Sequence, residues 1–450
     1  MTQAPAPTAA ADTSALALLR QRDYMVFLAT RVAGVLGTVA QSVTLGWQVY
    51  DLSRAERGVA ESALNVGFVG LATFLPLVFL ALPSGVAADR YPRKTILMAC
   101  FSAQAVLAAG LAWTAASGLA SVGSLVAFAG AFGVTRSFIA PANAAMGPML
   151  VPPHLLPRAI AWNSLAFEIG TIGGPALAGA LVAQWSSAYS YLVSLLLYLG
   201  PVVGLAAVRG STRPPAQPGS RLEQMREGLR YIRDNRIVLG AISLDLFAVL
   251  LGGATALLPV FARDILAVGP QGFGLMRSAP AAGAAVVALW LAGRPIHRRA
   301  GLSLFTGVAI FGVATVVFGL SRSLWLSLAA LAVLGGADMV SVYVRQTLVQ
   351  IVTPDAMRGR VAAVSFLFIG ASNELGEFES GLTAGWFGLV PAILLGGCAT
   401  LVVAVGWMSG FPALRGMDGF PHGVREMPPE RGQAPRRAKS VGKRWRKRGR

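Results

Sequence analysis

Long apolar runs alternate with short polar breaks along most of the chain. A helix needs about 20 mainly apolar residues to cross a bilayer. Twelve runs meet that length: 25–50, 62–88, 95–116, 121–143, 159–183, 188–208, 237–261, 272–293, 301–320, 325–347, 361–384 and 389–410. Within each run the apolar residues are continuous and do not alternate with period two, which argues for helices and against a β-barrel. Gly and Pro interrupt several runs, as membrane helices tolerate. The pattern predicts an all-α membrane protein with twelve transmembrane helices. Residues 1–18 are rich in Ala, Pro and Thr and lack a basic start and apolar core, so no signal peptide is expected there.

Composition narrows the function. Of the 450 residues, 55% are hydrophobic and 13% charged, against about 25% charged in an ordinary soluble domain. Mean hydropathy is +0.61. These values exclude a soluble enzyme and a disordered chain. Cys100 and Cys398 are the two cysteines, too few for a disulfide framework or a Cys-based zinc site. His154, His297 and His422 stand alone in polar segments, and no phosphate-cradling Gly-x-x-x-x-Gly-Lys-Ser/Thr stretch occurs. No cofactor, metal or catalytic serine is expected, and the chain is not read as an enzyme.

The net charge is +18. With both termini cytoplasmic, the inside segments before the tail hold 18 Lys and Arg and the outside loops hold 4: Arg54, Arg57, Arg263 and Arg322. This bias sets both termini on the cytoplasmic side of a bacterial cytoplasmic membrane. The tail, ending RRAKSVGKRWRKRGR, reads as disordered and basic. On that side it faces anionic lipid headgroups, each basic residue near the surface contributing about 1 kcal/mol, and no nucleic-acid role is expected.

The segment 209–236 begins rich in Pro and Gly and continues as a basic amphipathic helix from about Arg221 to Asn235. It separates six runs from six. Arg136, VPPHLLPRAIAWNSLAF and Gly170 are answered near 200 residues later by Arg345, VTPDAMRGRVAAVSFLF and Gly370. The expected organisation is a six-helix bundle over 1–208, a cytoplasmic linker over 209–236, a second six-helix bundle over 237–411 and a tail over 412–450. Two related six-helix halves with a substrate path between them are the architecture of many secondary transporters.

Ionisable residues at membrane depth are functional candidates by default. Ten fall in the runs: Arg31, Arg136, Glu168, Asp245, Arg277, Asp338, Arg345, Glu374, Glu377 and Glu379. Arg31 and Arg277 lie near run ends, where a long side chain can snorkel to the interface. Asp338 and Arg345 share a helix face two turns apart and can point into one cavity. Glu374 and Glu377 share a face, beside Ser372 and Asn373. Two close carboxylates at low dielectric do not both ionise easily, so one is expected to keep a proton, as a proton carrier must. Arg136 or Arg345 is expected to approach and drive release. The proton-coupling candidates are therefore Glu374, Glu377, Asp338, Arg136, Arg345, Glu168 and Asp245.

Three motifs carry a resemblance. Gly85-Val-Ala-Ala-Asp89-Arg90-Tyr-Pro-Arg93-Lys94 resembles the major facilitator superfamily signature after its second helix. The resemblance implies a cytoplasmic lock between halves in the outward-open state, on Gly85, Asp89, Arg90, Arg93 and Lys94. The matching loop, Gly293-Arg294-Pro-Ile-His297-Arg298-Arg299, keeps the bases and lacks the acid. Gly170, Gly174, Pro175 and Gly179 resemble the superfamily's antiporter motif: glycines bare one helix face and Pro175 bends it. Residues 136–179 and 337–385 resemble the enterobactin-exporter-like branch, and the likeness covers roughly 18–411. In that superfamily many drug antiporters carry an intramembrane Arg in the fourth helix, where Arg136 lies. The implied function is proton-coupled export of a small siderophore-like or drug-like molecule by alternating access, by a monomer. The alternatives are broad multidrug efflux without a siderophore role, and, in another class, a polytopic membrane enzyme or receptor without transport.

Overall fold

The computed structural model describes residues 18–210, 212, 221–296 and 298–418. Residues 1–17, most of 211–220, His297 and the basic tail from 419, with His422, lie outside the described residues. All regular structure among the described residues is helical. The helices are α1 (Arg22–Glu56), α2 (Val59–Phe79), α3 (Ala81–Arg90), α4 (Arg93–Ala116), α5 (Val122–Met146), α6 (Leu156–Gln184) and α7 (Ser187–Ala207). After the linker helix α8 (Arg221–Asp234) follow α9 (Arg236–Leu251), α10 (Gly269–Gly293), α11 (Ala300–Leu320), α12 (Leu324–Val352), α13 (Asp355–Phe387) and α14 (Leu389–Gly410).

Among the described residues, eleven helices are long and apolar enough to cross a membrane. The run at 361–384 lies in α13, which is 33 residues long but carries Glu374, Glu377 and Glu379 and does not join the eleven. Two runs are less continuous than their hydropathy suggests. The second breaks at Leu80, between Pro76 in α2 and Pro83 in α3, each lacking the N–H that would continue the ladder. The seventh ends as an α-helix at Gly252–Gly253 and goes on through a tight turn at Ala254–Leu257 and a wide turn at Phe261–Ile265.

Side chains at the starts fix two helices. Ser121 and Ser124 cap α5 reciprocally, and the Asn235 carboxamide accepts from the Ile237 and Val238 amides at 3.1 and 3.2 Å. Between α13 and α14 the chain turns at Gly388, with φ +86°, a backbone setting that favours glycine.

α1 packs on α6 and α7, α4 on α5 and α7, and α2 on α5. Among the later helices α10 and α11 pack on α12, and α9 on α13 and α14. The two most extensive contacts between the sets are α2 with α13 and α6 with α10. The apolar core follows this pattern. At the end opposite the linker one cluster unites both sets, including Trp47, Tyr50, Leu257, Phe261 and Phe273. Toward the linker end the core divides, one part around Tyr24, Phe27 and Tyr198 and another around Leu244, Leu304 and Leu348. Between these separate cores lies a cavity of about 490 Å³.

Candidate functional site

The site is built on the contact between α2 and α13. Residues 374, 377, 378 and 381 of α13 lie at helical spacing on one face. α2 meets that face with glycine: a Cβ at Gly67 would lie 3.1 Å from the Gly381 Cα, and one at Gly70 would lie 2.8 Å from the Glu377 Cβ. The missing side chains let the backbones approach, as at small-residue membrane interfaces, and they bring the glutamates to the junction of the two sets.

Each glutamate there meets an arginine. Arg136, on α5, donates from Nη1 to the Glu374 Oε1 at 2.8 Å, across 238 residues of sequence. Arg277, on α10, donates from Nη2 to the Glu377 Oε1 at 3.0 Å and from Nη1 to the Thr255 carbonyl at 3.0 Å. That carbonyl lies in the short turn after the break at Gly252–Gly253, where it also accepts the Leu258 amide, so the discontinuous helix presents backbone oxygen to the site as at other transporter sites. Glu374 and Glu377 therefore form two parallel ion pairs, one to each set of helices, where the sequence suggests a bare carboxylate pair. The Glu374 side chain is 13% exposed and Arg136 39%, so the pair borders open space on the arginine side.

Three other candidates, Asp245, Asp338 and Arg345, form a second group. Asp245 on α9 and Arg345 on α12 pair at 3.0 Å, both nearly buried. Asp338 lines a small cavity with Asp245 and Ser341. Arg345 thus serves Asp245, away from Glu374. Glu168, on α6, makes no hydrogen bond or ion pair among the described residues, and Glu379 accepts from the Thr383 hydroxyl at 2.7 Å. Arg277, which the sequence places near an interface, is a partner within the site. A signal for it exists, since its own helix starts two turns earlier at Gly269.

Gly85 lines the 490 Å³ cavity with Leu77, Leu82, Pro141, Met225 and Leu367. Asp89 and Arg90 end α3. Arg93 donates to the Ala145 carbonyl at 2.7 Å, and Lys94 donates to the Ala206 and Val208 carbonyls at 3.0 and 2.8 Å. The two bases hold the ends of α5 and α7, where helix carbonyls lack partners. The linker helix α8 faces the same cavity through Gln224 and Met225 and is tied to α13 by Glu227 and Arg360.

In α6 the glycines divide their work. A Cβ at Gly170 or Gly174 would meet Val35 or Val39 of α1, whereas one at Gly179 would lie 2.9 Å from the Gly274 Cα of α10. The motif therefore seats both a helix of its own set and one of the other.

At the end opposite the linker, Asp51 pairs with Arg263 and Arg54 with Asp264 at 3.1 Å, while the Tyr50 hydroxyl donates to Asp264. The sequence counts Arg54 and Arg263 only as loop charges. A signal was present: an acid then a base closes the first run, and a base then an acid closes the seventh.

Comparisons with known proteins follow the same line. Residues 13–429 match the family described as transmembrane secretion effector. The chain is similar to the enterobactin exporter EntS of Citrobacter koseri, 28% identical over 403 residues, covering 86% of this chain and 88% of that one. It is equally similar to the multidrug efflux pump Tap of Mycobacterium tuberculosis, 28% identical over 433 residues, covering 90% of this chain and 97% of that one. Among solved structures, the fold resembles the inward-open xylose transporter XylE from E. coli, with TM-score 0.67 and 13% identity over 90% of this chain and 98% of that one. It also resembles an inward-facing bacterial homologue of the human lysosomal transporter Spinster, with TM-score 0.66 and 14% identity over 88% of this chain and 96% of that one.

Proposed function

We propose a function from one premise: the chain belongs to the transmembrane secretion effector family of the major facilitator superfamily. Its fold is that of a multi-pass membrane transporter for small molecules. On our reading it exports a small organic molecule from the cytoplasm by alternating access, driven by the proton gradient. Residues 1–208 and 237–411 are the two rocking bundles and 209–236 is their cytoplasmic linker. Residues 412–418 pack on the second bundle, where Leu414 is fully buried, which corrects the reading of the tail as disordered from 412. The basic residues beyond the described ones would meet anionic headgroups, both termini are cytoplasmic in a bacterial cytoplasmic membrane, and the unit is a monomer.

One observation carries the coupling: the Arg136–Glu374 pair joins the two sets of helices at 2.8 Å beside open space. An ionised carboxylate in a membrane core needs a cation or a proton. When Arg136 holds Glu374, the carboxylate is stable without a proton. When the bundles separate, Glu374 must take one. Proton binding and rocking are then two descriptions of one exchange. The loop at Gly85, Asp89, Arg90, Arg93 and Lys94 closes the cytoplasmic side in the opposite state, and Gly170, Gly174, Pro175 and Gly179 form the flexible seat of α6.

The similarity to EntS supports a siderophore-like cargo and the similarity to Tap a drug-like one. The cavity favours the second, since its walls at Leu77, Leu82, Ala140, Pro141, Met225 and Leu367 are apolar. Such walls with a few polar groups suit an amphipathic molecule.

Inverted vesicles loaded with the protein test the reading. Uptake of a lipophilic cation and of a tris-catecholate is measured with and without a pH gradient. Glu374→Gln, a permanent mimic of the protonated acid, should keep binding and lose uphill transport with its pH dependence. Full pH-dependent uphill transport by both Glu374→Gln and Glu377→Gln would remove the coupling role.

A further inference from the structure

Asp245, Asp338 and Arg345 lie between α9 and α12, away from the α2–α13 junction. Two carboxylates face one guanidinium, so the group has one negative charge too many. Arg345 is 3% exposed and Asp245 5%. Arg345 spends Nη1 on Asp245 at 3.0 Å, and its buried Nε finds no acceptor. Among the described residues no hydrogen bond or ion pair engages Asp338. Asp338, Asp245 and Ser341 line a cavity with room for about one water molecule.

Among the described residues the surroundings supply no second cation. α11 contributes Val308 and Phe311 to the cavity wall. α14 presents Thr400, whose hydroxyl donates to the Ala248 carbonyl at 3.2 Å. The carboxylates of α13 are engaged by Arg136, Arg277 and Thr383. α10 meets α12 through Pro280 and Gly283. An excess charge in hydrocarbon is costly, and Asp338, half-buried beside the small cavity, is the place where the group can take up something positive.

We propose that this cluster is a second proton-binding site, holding one proton on Asp338 with a water in the adjoining cavity. A bound metal cation fits less well. Hard cations collect several oxygen ligands, whereas one Asp245 oxygen is already committed to Arg345, whose charge would repel the ion. A proton needs a single oxygen and leaves the Asp245–Arg345 pair intact. Sitting within one set of helices, the site does not open when the bundles separate at Glu374. It therefore titrates independently of that residue.

Infrared difference spectroscopy of the full chain in lipid vesicles tests this without a substrate. Spectra are recorded between alkaline and acidic buffer, in choline and in sodium salts. The wild type should show a protonated-carboxyl C=O band that Asp338→Asn removes, that Glu374→Gln leaves in place, and that titrates identically in both salts. Asp338→Glu keeps an acid there and should retain the band at a shifted frequency, which guards against a misfolded Asn variant. Survival of the band in both Asp338→Asn and Asp245→Asn would overturn the proposal. So would displacement of the titration by sodium, which would make the cluster a metal-cation site. Loss of the Glu374 coupling reading would leave the band untouched, so the two failures are separable.

Discussion

A glutamate in hydrocarbon is stable when it keeps its proton or finds a cation, and Glu374 has found Arg136. Removing one partner of such a pair strands the other. Arg136→Ala should therefore lower stability by about 3 kcal/mol, the lower end for a broken buried pair because Arg136 is partly exposed. The loss should show as an earlier thermal unfolding transition in detergent. Arg136→Ala with Glu374→Gln should recover most of it, since no charge is left behind. The deficit of the single variant should also shrink as pH falls, because protonation neutralises the stranded acid. A double variant as unstable as the single one would mean that Arg136 acts by packing. Sequence alone marked these residues by their rarity in apolar runs. It did not mark their partners, because face arguments work along one helix and this pair spans 238 residues. Hence Glu374 and Glu377 read as a pair sharing a proton, while the structure gives each its own arginine.

At the scale of helices, glycine decides which contacts are permanent and which can part. A Cβ at Gly274 of α10 would meet the Pro175 carbonyl and lie 2.9 Å from the Gly179 Cα of α6. Both are backbone atoms and cannot turn aside, so Gly274→Ala is relieved only if the two sets separate. A Cβ at Gly283 would strike the Ala332 carbonyl of α12, in the same set as α10. No rocking relieves that clash. Gly274→Ala should thus keep its thermal stability and favour the outward-open state, whereas Gly283→Ala should lose about 1–3 kcal/mol, the usual cost of overpacking. Maleimide labelling of Leu258→Cys, in a chain with Cys100 and Cys398 replaced by Ser, reads the opening: Leu258 is fully buried beneath the closed end. Faster labelling in Gly283→Ala than in Gly274→Ala would reverse the assignment. Hydropathy located the helices well, because length and apolarity are properties of one segment. It missed the breaks at Leu80 and Gly252, because Gly and Pro inside an apolar run are compatible with both a continuous and a broken helix.

For the whole molecule, the state depends on how the two ends balance. The end opposite the linker is shut by crossed charges: Asp51 and Arg54 at the end of the first span meet Arg263 and Asp264 at the end of the seventh. Beneath them one apolar cluster joins both sets, while the linker end holds an open cavity of about 490 Å³. The pairs are partly exposed, and such pairs contribute about 0.2–1 kcal/mol each. That is small enough for a transporter that must open this end in every cycle. It is also enough to matter, since a coupling of about 1 kcal/mol shifts a population about fivefold. Asp51→Arg sets two guanidinium groups against each other and should move a comparable share of molecules to the outward-open state. Adding Arg263→Asp restores a pair of opposite sense and should return the wild-type balance. Spin labels at Leu119 and Arg322, one in an outer loop of each set, report the separation as a distance distribution. High salt should loosen the wild-type gate, since exposed charges are screened, and should leave Arg136 and Glu374 far less affected. If Asp51→Arg leaves the distribution unchanged, or the double variant stays as open as the single one, the crossed charges are loop decoration and the apolar cluster alone holds the end shut.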